Sequence, residues 1–204
     1  MTTMSEAPAT DRPAGLRERK KARTRAAIRE HALRLFREQG YYATTVEQIA
    51  EAAEVSPSTF FRYFPTKEDV VLQDDFDVLG METFQSQPAE MSPVAAFRAA
   101  AMQMIGTLTP AEVERFRETT ALTMTVPEVR ARALDEFART IEQIAEAVAL
   151  RTGRSPDDFM VRNLAGAVVG VIMSATMPWE EMPTEDMFER IDTALANLEA
   201  GFPL

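Results

Sequence analysis

TTVEQIAEAAEVSPSTFFRYFPTKEDV, residues 44–70, decides the fold. Thr44 and Thr45 can each cap a helix, with Glu47 and Gln48 three residues on as reciprocal partners. Val46, Ile49, Ala50 and Ala53 follow at helical spacing, so a two-turn helix has one apolar side. Val55 plugs the turn after it. Ser56 then caps a second helix with Pro57 at its first position, and Phe60 and Phe64, four apart, face inward together. Ser58, Thr59, Phe61, Arg62 and Tyr63 are left on the other faces. Pro65 stops that helix, and Thr66 is expected to cap the next, with Asp69 three residues later. Two short helices around a tight turn, the second opening on small hydroxyl residues beside aromatics, have the layout of a helix-turn-helix.

Charge supports a nucleic-acid partner for this end of the chain. Residues 1–67 hold 12 Lys and Arg against 8 Asp and Glu, whereas residues 68–204 hold 10 against 24, giving the overall −10. Between Leu16 and Arg29, seven cations (Arg17, Arg19, Lys20, Lys21, Arg23, Arg25 and Arg29) oppose only Glu18. Such a cluster is an electrostatic footprint for phosphates, while the acidic remainder is repelled by DNA and biases docking orientation. The first fifteen residues lack periodicity and are expected to form a disordered arm, with residues 16–66 as the DNA-binding domain and 67–204 as a second domain.

The rest of the chain reads as helix throughout. Thr24–Gln39 carries Ile28, Ala32, Leu35 and Phe36 on one stripe, with Gly40 as its stop. Further helices are expected over Lys67–Phe84, Pro93–Leu108, Pro110–Met124, Pro127–Thr152, Pro156–Met177 and Thr184–Ala200, about nine in all. No strand pattern competes, so the fold class is all-α.

Enzyme chemistry has little to work with. There is no Cys, and His31 is the only His, so thiol–imidazole catalysis and His-rich metal sites are excluded. Asp74, Asp75 and Asp77 lack the Gly turn and distal Glu of a calcium loop. Glu180 and Glu181, beside the only Trp, Trp179, read as solvated charge in a Pro-bounded loop. No cofactor or metal is expected. No apolar run reaches the ~20 residues of a membrane span and no signal-type segment opens the chain, so a cytoplasmic protein with no membrane partner is expected.

From about Thr24 to Val71 the chain resembles the DNA-binding domain of the TetR family of transcriptional regulators. Ala32, Leu35, Phe36 and Gly40, then TTVEQIAEAAEVS, then TFFRYFPTKEDV carry the match in order over about fifty residues. Glu54 stands where the family usually has Gly, which predicts a strained or reshaped turn, because an L-residue in a left-handed conformation costs ~1–2 kcal/mol. The resemblance implies that Ser56, Pro57, Ser58, Thr59 and Phe61 face base edges. It assigns Arg62, Tyr63 and Lys67 to phosphates, with Thr45 and its helix N-terminus opposite and the cationic segment, Arg23 included, beside them. Phe61 replaces a Tyr common in relatives, so one hydroxyl contact to DNA is missing.

Beyond residue 71 two features bear on function. Asn163–Met177 is apolar nearly all round and rich in small residues, which suits either the centre of a monomer core or a close-packed seam between subunits. Family members dimerise through their last two long helices. The resemblance thus favours a homodimer seam of Gly166, Val169 and Gly170 with Phe188, Ile191 and Leu195, and Arg190 and Asp192 at its rim. Met is plentiful, and Met adapts to irregular space. Phe97, Met102, Phe116, Thr120, Met124, Phe137 and Met173 are candidates for a mainly apolar ligand pocket, with Arg98, Arg117, Thr119 and Thr140 as polar candidates. VPEVRARALDEFARTIEQIAEAVALRTGRSPDD, residues 126–158, is similar to a subgroup that includes mycofactocin-associated regulators, which implies a small apolar or amphipathic effector such as an acyl-coenzyme A. The expected function is a repressor that binds a palindromic double-stranded operator and is released by that effector; an activator, or an adaptor that has lost specific DNA binding, are the alternatives.

Overall fold

The computed structural model describes residues 15–73, 76–176 and 184–203, without the side chains of 18, 76–78 and 184–186. The expected N-terminal arm, Asp74 and Asp75, the side chain of Asp77, and the loop with Trp179, Glu180 and Glu181 lie outside these residues. Among the described residues there are ten helices and no strand, in two units that divide after Thr66.

The first unit holds α1 (Leu16–Gln39), α2 (Val46–Ala52) and α3 (Pro57–Tyr63). Its α1 starts at Leu16, eight residues before the expected Thr24, so the cationic segment is helical. The core joins Ile28, Ala32, Leu33 and Phe36 of α1 to Ile49 and Ala50 of α2 and to Phe60 and Phe64 around α3. Leu33 is buried there, whereas Leu35, expected on the stripe, is half-buried. Removing Phe60 or Phe64 from water contributes about 1.5–3 kcal/mol each.

Local chemistry sets the helix ends. The Thr45 hydroxyl accepts from the Gln48 N–H at 3.2 Å, while the Thr45 N–H donates to Gln48 Oε1 at 2.9 Å, a reciprocal cap. Thr44 is buried and does not cap; its hydroxyl donates to the Gly40 carbonyl at 2.9 Å. Between α2 and α3, Glu54 takes φ +54°. Its N–H donates to the Glu51 carbonyl and that of Val55 to the Ala50 carbonyl, so the turn closes in left-handed geometry despite the Cβ.

The second unit holds α4 (Asp69–Leu72), α5 (Phe76–Ser86), α6 (Pro93–Ile105), α7 (Pro110–Thr125), α8 (Pro127–Thr152), α9 (Phe159–Thr176) and α10 (Thr184–Glu199). α9 packs between α8 and α10, α10 reaches α6, and α5 and α7 lie against α8. The single helix expected over Lys67–Phe84 is two, which makes ten helices where about nine were expected. Gln73 leaves α4 with extended backbone at ψ 116°. Thr66 is not the cap of α4, since Glu68 occupies that place. Asp69, expected as a capping partner, is buried with Oδ1 accepting from Arg132 Nε at 3.0 Å, fastening α4 to α8. Pro156 lies in a turn ahead of α9, where Asp158 Oδ1 accepts from the Met160 N–H at 2.8 Å. Arg151 ties the α5–α6 connection down by donating to the carbonyls of Gln87, Pro88 and Met91, with its guanidinium 5.5 Å from the Phe84 ring centre.

Candidate DNA interface and effector cavity

In the first unit, Ser56 orders the start of α3. Its hydroxyl accepts from the Thr59 N–H at 3.1 Å and lies 3.0 Å from Thr59 Oγ1 and 2.9 Å from Ser58 Oγ. Three hydroxyls are thus clustered at the N-terminal end of the helix, where backbone N–H groups also point outward. Ser56, Pro57, Ser58, Phe61 and Arg62 are exposed, and Thr59 and Tyr63 half-buried. Phe61 stands 50 % exposed with its ring edge-on to Phe60, a large apolar group in water on an otherwise polar helix face.

Beside α3, the residues Leu16, Arg17, Lys20, Lys21 and Thr24 of α1 line one hollow with Arg62 and Tyr63. Positions 17, 20, 21 and 24 share a face at helical spacing, so the helical form of 16–29 turns a run of charge into a one-sided patch. The Arg62 guanidinium lies 5.4 Å from the Tyr63 ring centre. Arg17, Lys20 and Lys21, expected within the cationic phosphate footprint as a whole, are the members of it that line this hollow. Arg23 is exposed on α1 but does not line the hollow, and Arg25 covers the Phe64 ring at 4.8 Å. Thr45 caps α2 at an exposed position. Lys67 belongs to the second unit; burial pulls its ammonium below the usual lysine range, and the nearby Glu68 and Glu128 carboxylates partly offset this. The solitary His31 is half-buried with Nδ1 3.5 Å from Arg34, and the described residues hold no cluster that could bind a metal.

The second unit contains a cavity of about 400 Å³ walled mainly by apolar groups of α4 to α10. Phe97, Phe116, Thr120, Met124, Phe137 and Met173 line it, as do Thr119 and Thr140. Met102 does not; it packs on the core, while Met104, two residues on, faces the cavity. Arg98 and Arg117 are also elsewhere. Arg98 grips Asp192 of α10 with Nε–Oδ1 2.6 Å and Nη2–Oδ2 2.8 Å, and Arg117 pairs with Glu114. The Arg98 hydrogen bonds hold the Asp192 carboxyl below the usual range, against a smaller opposing effect of burial.

Several residues expected at a subunit seam are interior instead. Leu195 is 0 % exposed, Ile191 and Val169 are buried, and Val169, Phe188 and Ile191 line the cavity. Asp192, expected at the rim, is held by Arg98. The α10 stripe is consumed inside the subunit, and the outer face of α10 is polar, with Glu189, Arg190, Thr193 and Asn197. α9 is different. By length and composition alone it could cross a membrane, yet only 28 % of it is buried. Its outward residues, Phe159, Met160, Arg162, Asn163, Gly170 and Ser174, fall on one face, with Arg162 at its edge and Gly166 and Ala167 half-buried among them. A Cβ added to Gly166 or Gly170 meets nothing within 4 Å, so packing inside the subunit does not require glycine at either position.

Two described protein families match the chain. Residues 28–73 match the domain described as bacterial regulatory proteins, tetR family, and residues 91–203 match the MftR C-terminal domain. The HTH-type transcriptional regulator TcmR of Streptomyces glaucescens is 35 % identical over 92 % of this chain and 83 % of its own length. MftR of Mycobacterium tuberculosis is 28 % identical over 90 % of this chain and 93 % of its own. Among solved structures, the Thermus thermophilus repressor FadR in complex with lauroyl-CoA superposes with a TM-score of 0.57 at 28 % identity, over 88 % of this chain and 95 % of that one.

Proposed function

The chain belongs to the TetR family of bacterial regulatory proteins and is a transcriptional regulator rather than an enzyme, and from that premise we propose a ligand-responsive repressor that binds a palindromic operator as a homodimer. One observation carries the DNA half of this reading. The exposed face of α3 that carries Ser58 and Phe61 ends in Arg62 and Tyr63, which share one hollow with the cationic face of α1. Ser58 and Thr59 donate or accept at base edges, and Pro57 and Phe61 pack on thymine methyls. Arg17, Lys20, Lys21, Arg62 and Tyr63 take phosphates, joined by Arg23, Lys67 and the N-terminal end of α2 at Thr45. Two subunits present α3 to successive major grooves about 34–36 Å apart. The setting is the cytoplasm, where the operator is.

The outward face of α9 supports the dimer. Apolar Phe159 and Met160, 75 % and 63 % exposed, continue into the small residues Gly166, Ala167 and Gly170, which let a partner helix approach closely. The seam thus keeps Gly166 and Gly170 from the sequence reading and gives up Ile191 and Leu195. Control runs through the cavity. Val71 and Leu72 of α4 line it, and α4 follows the DNA-binding unit directly in the chain. A small, mainly apolar effector that binds better to one position of α4 lowers operator affinity by that difference, typically ~1–3 kcal/mol.

Fluorescence anisotropy on labelled duplex from upstream of the gene, across a salt series and against scrambled duplex, tests the first half. Salt-steep binding with a preference of at least ~10³ over scrambled DNA is expected. Equal binding to both duplexes across all upstream fragments refutes sequence-specific reading.

A further inference from the structure

The polar groups of the cavity point to a narrower ligand class than its apolar walls do. Among the described residues lining it there is no Lys, Arg or His, and Glu136 is the one ionisable side chain. Glu136 is half-buried and paired with Arg139 on α8, which does not itself line the cavity. Five threonines supply the remaining side-chain polarity. Four of them spend their proton on a carbonyl of their own helix: Thr119 on Arg115 and Phe116, Thr123 on Thr119, Thr140 on Glu136, and Thr176 on Ile172 and Met173. A carbonyl cannot donate, so each of these hydroxyls is the donor and keeps its lone pairs for a ligand. The Thr120 hydroxyl makes no hydrogen bond within the described residues and is the one of the five with both functions in hand. The lining is therefore rich in acceptors and poor in donors, with no cation.

The walls add shape. Phe97, Phe116, Phe137 and Phe188 line the space with Met81, Met104, Met124 and Met173. Aromatic faces and thioether sulfurs favour a ring system, which gains contact area without losing chain entropy. A carboxylate or phosphate brought here loses its hydration, finds no cation and faces the Glu136 carboxylate, so it is expelled.

We propose that the cavity selects an uncharged aromatic ligand carrying a hydrogen-bond donor, such as a phenolic hydroxyl, and rejects a ligand whose anionic group must enter it. The proposal rests on the cavity being the effector site. Titration calorimetry of the full chain with 2-naphthol, 2-methoxynaphthalene and 2-naphthoate separates the two claims. 2-Naphthol binds about 3- to 10-fold more tightly than its methyl ether, the worth of one net hydrogen bond, and 2-naphthoate binds more weakly than either. Glu136→Gln removes the charge and adds an amide donor, so it narrows the gap between 2-naphthol and 2-naphthoate by about threefold or more. The proposal is overturned if 2-naphthoate binds as tightly as 2-naphthol, or if Glu136→Gln, folded by circular dichroism, leaves the ratio unmoved. Ala101→Phe fills the cavity and abolishes 2-naphthol binding. Undiminished binding by that variant removes the effector-site reading itself, whatever the ratios.

Discussion

Glu54→Gly stabilises the DNA-binding unit, and the size of the gain follows from one dihedral angle. Glu54 holds φ +54° in the turn between α2 and α3. An L-residue there sets its Cβ against the following carbonyl at a cost of about 1–2 kcal/mol, which glycine escapes. Glycine loses about 0.4–1 kcal/mol through the greater freedom of its unfolded chain. The Glu54 side chain is exposed and makes no hydrogen bond or ion pair among the described residues, so nothing else is forfeited. The two backbone hydrogen bonds of the turn, Glu54 to Glu51 and Val55 to Ala50, remain available to the variant. The net is about 0.5–1 kcal/mol of stabilisation, or a rise in Tm of about 2–8 °C for a unit this small. All three Tyr (Tyr41, Tyr42 and Tyr63) lie in the first unit and the one Trp lies beyond it, so tyrosine absorbance on heating follows the relevant unit. Glu54→Ala keeps a Cβ and is expected to melt within a degree or two of the parent. If Glu54→Gly melts no higher than Glu54→Ala, left-handed strain is not what this turn carries and the reasoning fails.

Three further outcomes follow from the same geometry. Gly170→Leu puts a side chain into open space on α9, so the subunit keeps its helical circular dichroism and gains helix propensity, worth about 1 kcal/mol, while sedimentation shifts from dimer to monomer; an unchanged dimer refutes the α9 seam. Lys20→Ala weakens binding to every duplex and lowers the salt slope by about 1, whereas Thr59→Ala relaxes discrimination at particular base pairs and leaves the slope alone; identical behaviour of the two variants defeats the division between phosphate and base contacts. Because Arg98 depresses the carboxyl pKa of Asp192, the pair stabilises the fold above the ordinary aspartate range and loses that contribution as pH falls through the depressed value. Both side chains are about a third exposed, at 36 % and 34 %, so Asp192→Asn costs only about 0.5–1 kcal/mol at neutral pH, and nothing once the parent carboxyl is protonated; an equal deficit at both ends of an acid titration of stability contradicts this.

The sequence by itself determined what local chemistry controls. Thr45 with Gln48 and Ser56 with Thr59 set helix starts because the groups that pair are three residues apart. Gly153 ends α8 in a left-handed conformation for an equally local reason. The helix-turn-helix, the charge of α1 and the need for a special conformation at Glu54 were legible on the same grounds. Tertiary structure decided which way uniform helices face. α9 is apolar nearly all round, so periodicity could not say which side meets α8 and α10 and which is left exposed. α10 does have one apolar stripe, but only its neighbours determined that Ile191 and Leu195 point into the subunit. Met104 lines the cavity in place of Met102 for the same reason, since residues two apart on α6 face nearly opposite sides of the helix. Asp69 and Arg132 are 63 residues apart, and the break at Gln73 separates α4, which they fasten to α8, from α5. No spacing rule reaches that far: such contacts exist only once the helices have packed and made charge burial depend on a distant partner.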